Sequence, residues 1–552
     1  MKRIFTLIFI FCGLIATMTT AQERYLDEMF SEVQVTTEVY GVNATLIELA
    51  TAMEAVPQAL VMDVYEPVGD TETDRPVMLV FHTGNFLPVG LNAQISGSLR
   101  DSSVVEFCTL LAKRGYVAAS VDYRSGWNPL ASTQPLRALG IIQAAYRGVQ
   151  DSRNAVRFMR ALAVDAGNKY NIDPDKIAAL GQGTGGYVVL GMVGLDDYNE
   201  ILTTRSGPAK FILDNDGDGT PETPMIVEAF HGDVEGRNLT VTPAAGFGLP
   251  AGDTTNYVNV PNYADGTEIS SDIALGINLG GALGDVSWLD DNTIPTITIQ
   301  SINDAFAPYN DGVLQVSGTE FNVVQVQGAQ VIGESQRTNG ANQIFVDAVF
   351  DDATTQLARD NSAIAGHDYY EGVFPFNLPA NSLGLDEGLA IEWWNPNAPV
   401  PAYLGAPMGT TWALLPHPSM MGTFNEVGQL RNENMSGDKA RANIATCLDY
   451  ILPRSCVALE LPCASFYSST EDLLEETLVD LTPNPSSAFI NLSSEKQIKS
   501  VEMLDMQGKL ISKTDNINNN NFRLDNTSNI SGMHLINIRF EDGMVTKTVI
   551  IE

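Results

Sequence analysis

Lys176-Ile-Ala-Ala-Leu-Gly-Gln-Gly-Thr-Gly-Gly186 runs an apolar, strand-like stretch directly into a glycine-dense turn, and Tyr187 to Val193 continues it with helical composition. Strand, tight turn and helix in that order make one unit of an α/β layer. Outward from it the same alternation recurs. Val77-Met-Leu-Val-Phe81 and Gly115-Tyr-Val-Ala-Ala-Ser-Val-Asp122 read as buried strands, and Ala144 to Ala163 carries apolar residues at helical spacing. Ile273 to Leu279 and Pro295-Thr-Ile-Thr-Ile-Gln300 are further strands. Continuous apolar runs joined by helices predict a parallel sheet covered on both faces.

Two stretches interrupt this rhythm. Residues 232–271, rich in Gly, Pro, Asn, Asp and Thr, and residues 310–416 read as insertions over the sheet. Ser436 opens a last helix, which Pro453 is expected to end. An acidic linker is expected over 471–480. Beyond it, short alternating strands such as Ile498 to Leu504 and Met533 to Phe540 predict a small β-sandwich.

The ends and the composition set the compartment. Lys2 and Arg3 precede an apolar run, Ile4 to Ile15, and Thr19-Thr20-Ala21 offers small residues for cleavage. This is the pattern of a secretory signal peptide over residues 1–21, too short for a membrane span. No later run is long and apolar enough to cross a bilayer, so the mature form is expected to have no transmembrane helix. With 67 acidic against 31 basic residues the net charge is −36, which repels nucleic acid and argues against a nucleic-acid partner. Of five cysteines, Cys12 leaves with the signal peptide. Cys108, Cys447, Cys456 and Cys463 remain, and the last three lie close enough for a disulfide in an oxidising compartment, with the pairing open.

From about Pro57 to Pro453 the chain resembles secreted carboxylesterases and related α/β-hydrolases. The resemblance rests on Leu60-Val-Met-Asp-Val-Tyr-Glu-Pro67, Phe81-His-Thr-Gly-Asn-Phe86, Val121-Asp-Tyr-Arg124, Asp173 to Ile177, Gly181-Gln-Gly-Thr-Gly-Gly186 and Asp304-Ala-Phe-Ala-Pro308. It implies an α/β-hydrolase fold with insertions over residues 22–470. In that fold Gly-x-Ser-x-Gly presents a nucleophilic serine on a strained turn, and a histidine takes its proton. Here Gly183 stands at the serine's position, so the ordinary acyl-enzyme has no side chain to form on. Thr184, one position later, is a candidate displaced nucleophile, and its amide a candidate oxyanion donor with Gly84 and Asn85. Thr83 and Asn85 depart from the family's His-Gly-Gly loop.

Asp304 matches the acid that orients the histidine, or is a turn aspartate capping the segment after it. His417, ahead of the last helix, is the first candidate base, and His367 the second. Trp393, Trp394 and Trp412 are candidates to line a pocket for an ester or glycan, or simply to pack. Gly183→Ser is expected to cost some stability, since serine is the larger residue, yet to be tolerable in principle because serine holds this strained angle in the family, and to place a hydroxyl near His417. Two functions stay open. One is an esterase-related hydrolase with altered or lost serine chemistry; the other is a pseudo-hydrolase that binds a ligand or glycan.

Asp214-Asn-Asp-Gly-Asp-Gly-Thr-Pro-Glu222 places oxygen ligands at alternating positions: Asp214, Asp216, Asp218, Thr220 and Glu222. Hard oxygens so spaced suit a structural Ca²⁺. The loop resembles the aspartate-rich calcium loops of dockerin and thrombospondin-type repeats. At the far end come Thr482-Pro-Asn-Pro485, Asp505-Met-Gln-Gly-Lys509, Gly532-Met-His-Leu-Ile536 and Lys547-Thr-Val-Ile-Ile551. In this order they resemble the type A C-terminal sorting domain of the type IX secretion system of Gram-negative bacteria, over 481–552. That implies the secretion machinery as partner and a secreted or cell-surface product.

Overall fold

The computed structural model describes residues 23–45, 56–237, 259–467 and 479–551, apart from 208, 261, 305, 317–318, 320, 383, 385–389, 487–488, 505–508, 526–530 and 541–543. The expected signal peptide, most of the linker and part of the first expected insertion lie outside the described residues.

An eight-stranded sheet is built from β1 (Val33–Thr45), β2 (Val56–Pro67), β3 (Arg75–Phe81), β4 (Val117–Val121), β5 (Ile172–Gln182), β8 (Leu275–Leu279), β9 (Thr296–Ser301) and β12 (Val373–Phe376). Between β5 and β8 a two-residue pair, β6 (Ile212–Leu213) and β7 (Thr223–Pro224), closes the aspartate-rich loop. Between β9 and β12 a hairpin of β10 (Asp311–Gln315) and β11 (Asn322–Gln327) stands apart from the sheet. The sheet order is β1-β2-β4-β3-β5-β8-β9-β12. β1, β2 and β4 pair antiparallel, and the rest pair parallel.

Every residue of β3, β4, β8 and β9 is buried, as two-sided burial of a parallel sheet requires. One face packs on α1 (Ser102–Lys113) and the last helix; the other packs on α2 (Gln134–Val164) and α3 (Thr184–Gly194). The α/β-hydrolase-like architecture read from the strand–turn–helix units is therefore present.

Two details differ from expectation. β12 falls inside the 310–416 segment read as an insertion and pairs with β9, so that segment also supplies the sheet's edge strand. Four residues containing Pro375 give too short a pattern to read as a strand, and an edge tolerates the missing donor. After α4 (Ala329–Asn339) and α5 (Ala353–Ala365), the last helix, α6, spans Gly437–Ala458 and passes through Pro453 rather than ending there. Tyr450 to Cys456 is buried there, and Cys456 is bonded to Cys463, while Cys108 and Cys447 are free and buried. Tertiary burial outweighs proline's lost backbone hydrogen bond.

The C-terminal part has two antiparallel sheets. One contains β13 (Val479–Thr482), β14 (Phe489–Ile498) and β17 (Asn519–Asp525); the other contains β15 (Ser500–Leu504), β16 (Leu510–Thr514), β18 (Gly532–Arg539) and β19 (Met544–Ile551). Leu492 and Leu524 from the first share a core with Val501, Ile536 and Val549 from the second, which gives the sandwich.

Candidate functional site

The turn between β5 and α3 lies at the C-terminal edge of the sheet. Gly183 holds φ +53° and ψ −115°, and its amide donates to the Leu279 carbonyl at 2.8 Å. This left-handed conformation lifts residue 183 out of the strand line. Close approach makes the flanking glycines obligatory: a Cβ on Gly185 would lie 2.2 Å from the Phe81 carbonyl oxygen.

The space above Gly183 is already taken. A Cβ built there would lie 2.1 Å from Thr83 Oγ1 and 2.9 Å from Thr83 Cβ. Thr83, at the end of β3, thus puts its side chain where the side chain of an elbow nucleophile would begin. To the expected cost of serine at Gly183 this adds a steric one: the turn accepts it only if Thr83 gives way.

Among the described residues, no hydrogen bond joins the other candidates to one another. Asp304 Oδ1 accepts from the amides of Phe306 and Ala307 at 2.7 and 3.2 Å, which is the turn-capping role. His417 Nε2 bonds the Ala93 carbonyl at 3.0 Å, and its Nδ1 accepts from the amides of Ser419 and Met420 at 3.2 and 3.0 Å. Both ring nitrogens of this buried histidine are therefore engaged by backbone. His367 bonds Tyr309 Oη at 2.8 Å and the Asp368 carbonyl at 2.7 Å, stacked between Tyr309 and Tyr370. Thr184 Oγ1 is 3.1 Å from Tyr123 Oη, and the residue is buried.

In the expected oxyanion loop, Gly84 and Asn85 both have positive φ, and the Asn85 carbonyl accepts from Trp127 Nε1 at 2.8 Å. The Thr184 amide, first in α3, has no acceptor within the helix.

Sequence reasoning missed a buried polar group beside the turn. Glu392 comes from the long connection between β12 and α6. Its Oε1 accepts from Gln182 Nε2 at 2.8 Å, and its Oε2 from Ser96 Oγ at 2.9 Å. Burial, then the nearby charge of Asp101, pushes this carboxyl up to about 8. Asp101 itself is pushed up to about 6 by burial. His82 Nδ1 lies 2.5 Å from the Thr83 carbonyl and Nε2 lies 3.2 Å from Asp122. Burial works against its charge, but the bond to Asp122 and the charges of Asp122 and Asp101 outweigh that and raise it. Both of its ring nitrogens are thereby engaged.

A cavity of about 360 Å³ opens over the turn, walled by α2, α3, the β10–β11 hairpin and the connection carrying Glu392. Thr83, Gln182, Gly183, Asp304 and Glu392 lie on its polar side; Trp127 and Trp288 are its tryptophans. The tryptophans singled out in the sequence are elsewhere. Trp393 lies under the Arg441 guanidinium at 5.2 Å, Trp394 donates to Asn425 Oδ1 at 3.0 Å, and Trp412 packs on Phe424. Only the separation in sequence between Trp127, Trp288 and the turn hid the true lining.

The aspartate-rich loop is exposed. Asp214, Asp216, Asp218 and Glu222 each offer an oxygen, all within 4.8 Å of one another, and so can hold a metal ion. Asp214 also accepts from the amides of Gly217 and Gly219, and Asp218 from the Thr220 amide, while the Asn215 amide donates to Glu222. These bonds fix the loop and leave further lone pairs. A donor set of hard oxygens alone fits Ca²⁺.

A family model described as Secretion system C-terminal sorting domain matches residues 480–552, and the BD-FAE model matches residues 62–216. No curated protein matches. Among solved structures, esterase 2 of Thermogutta terrifontis phosphorylated by paraoxon shares 18% identity over 58% of this chain and 82% of its own, at a TM-score of 0.29. Its propionate-bound form shares 18% over 58% and 83%, at 0.27. The α/β-hydrolase-like domain, matched over part of its length by the BD-FAE model, is followed by a sorting domain that directs export to the outer-membrane surface or secretion. No helix among the described residues is long and apolar enough to cross a membrane.

Proposed function

We propose that the hydrolase-fold domain acts outside the cell as a ligand-binding pseudo-hydrolase, having lost serine acyl transfer and kept the pocket. The observation that carries this reading is the Thr83 side chain, whose Oγ1 stands 2.1 Å from the place of a Cβ on Gly183. The backbone bonds of His417 and the capping role of Asp304 agree with it, since neither is left poised for the other. The mostly apolar wall favours an ester-like or other apolar ligand over a glycan, which needs exposed aromatic platforms and many polar partners. In this reading Ca²⁺ at Asp214, Asp216, Asp218 and Glu222, with Thr220 fixing the loop through its amide, is structural, and the sorting domain engages the type IX secretion machinery.

The test is exposure of the full-length protein to a serine-directed phosphonate and to small activated esters. The expected result is no labelling and no turnover; a labelled residue in the cavity overturns the reading.

Glu392 favours one second reading. A buried carboxyl held largely protonated at neutral pH, beside Gln182, is suited to general acid–base work on a bound ester and water. That reading requires measurable turnover in the native protein, lost in Glu392→Gln.

A further inference from the structure

Most polar side chains around the turn are already engaged by the protein. Gln182 accepts from Ser103 Oγ at 3.1 Å and donates to Glu392 at 2.8 Å. Gln300 Nε2 donates to the carbonyls of Ala307 and Pro308, and its Oε1 accepts from the Ala329 amide. Asn92 Oδ1 accepts from the amides of Gly90 and Gln94, and its Nδ2 donates to the Ser96 carbonyl. The buried hydroxyls of the wall divide differently. Thr184 Oγ1 pairs with Tyr123, whereas the hydroxyls of Thr83 and Ser301 bond no described residue. Nor are they sealed from solvent, as the unpartnered oxygens of Ser120 and Tyr187 are; both residues keep 7% exposure.

Thr83 is the one that stands over the turn. Its Oγ1 lies 2.1 Å from where Gly183 would carry a Cβ, so a hydroxyl still stands at the elbow although residue 183 has none. Around it the wall is largely apolar. Trp127, Ile141, Ile142 and Ala145 on the α2 side, Val316 of the β10–β11 hairpin, and Phe306 line the cavity and are only half-buried. Trp127 offers its ring alone, since its Nε1–H is already donated to the Asn85 carbonyl. At about 360 Å³ the cavity has more than twice the roughly 150 Å³ that holds a benzene ring.

From this we infer that the Thr83 hydroxyl is the cavity's polar anchor, taking the oxygen of an alcohol or ester whose apolar body has about ten carbon atoms. A threonine hydroxyl donates to a carbonyl oxygen and either donates to or accepts from an alcohol. A hydroxyl with no protein partner gains a hydrogen bond there and gives up none. Thr83 is then a residue the ligand touches as well as one that occupies the space above Gly183. This rests on the reading of the cavity as a ligand site.

The experiment is calorimetric titration of the full-length protein with 4-phenylbutan-1-ol and butylbenzene, two probes of one skeleton that differ only in the oxygen. Both are expected to bind the native protein. Thr83→Val keeps the shape and removes the hydroxyl, so it should weaken the alcohol about three- to tenfold, the loss of one hydrogen bond, and leave butylbenzene within about twofold. Thr83→Ala should reproduce that split, and Thr83→Ser, which keeps the hydroxyl, should hold the alcohol near its native affinity. Because the hydroxyl bonds no described residue, Thr83→Val should melt no lower than the native protein. Equal losses for both probes, or no loss for either, would make Thr83 a filler of the wall and overturn the anchor while leaving the ligand site intact. Absence of binding by both probes to the native protein overturns both.

Discussion

Serine at position 183 should destabilise this protein, and by a magnitude that the geometry supplies. The backbone there holds φ +53° and ψ −115°, a region that costs a residue with a Cβ about 1–3 kcal/mol. The new Cβ would also lie 2.1 Å from Thr83 Oγ1 and 2.9 Å from Thr83 Cβ, closer than real contacts allow, so Thr83 or the turn must move. Overpacking of this kind costs about 1–3 kcal/mol, and Gly183→Ser should therefore lose about 2–6 kcal/mol in all.

Adding Thr83→Gly removes the obstructing atoms but not the backbone cost. It brings its own loss of about 0.5–1 kcal/mol from the freed chain. The double variant should still be more stable than Gly183→Ser alone, with a favourable coupling of about 1–3 kcal/mol. Urea unfolding of the native protein, both single variants and the double variant measures each term. A Gly183→Ser protein as stable as the native one, or a double variant no better than the single, refutes the claim that the two side chains compete for one space. Ester turnover should stay absent in the double variant, because His417 is engaged by backbone on both nitrogens. Robust turnover there would mean that a base reaches residue 183 after all.

Further outcomes follow from the same geometry. Glu392 keeps its proton up to about pH 8 when folded, against an ordinary value of 4.5; the unfolded chain gives it up first, so stability should fall as pH rises across that window and level off above it. Glu392→Gln, which can keep the contacts to Gln182 and Ser96, should flatten that fall in a pH series of thermal melts, and an unchanged profile would refute the assignment. Calcium should raise the melting temperature relative to chelator, and Asp216→Ala with Asp218→Ala should abolish the difference; identical melts of the native protein would make the loop an acidic turn only. Deleting residues 481–552 should leave the hydrolase-fold domain folded but retained in the periplasm, which fractionation of cells tests; unchanged secretion would refute it.

The fold was legible because it is written in local patterns. Lys176 to Gly186 carries strand and turn within one window, and burial on both faces of the sheet leaves uninterrupted apolar runs such as Val77 to Phe81. Where tertiary packing overrode local preference, as at Pro453 inside α6 or at the short edge strand β12, the pattern misled. The acidic loop, contiguous in sequence, was legible as a cluster for the same reason. The site was not, because its parts meet only across the sheet. Glu392 lies 210 residues from Gln182, and nothing around it in the sequence marks it as buried.

Gly183 and Thr83 make the point most sharply. Each was visible as a departure from the hydrolase pattern, glycine where serine belongs and threonine where glycine belongs, and each on its own reads as a defect. Together they share one space: a Cβ on Gly183 would fall against the Thr83 side chain. Open space above Gly183 would let a single substitution place a serine there. With that space occupied by Thr83, accommodating a serine at 183 requires changing both residues.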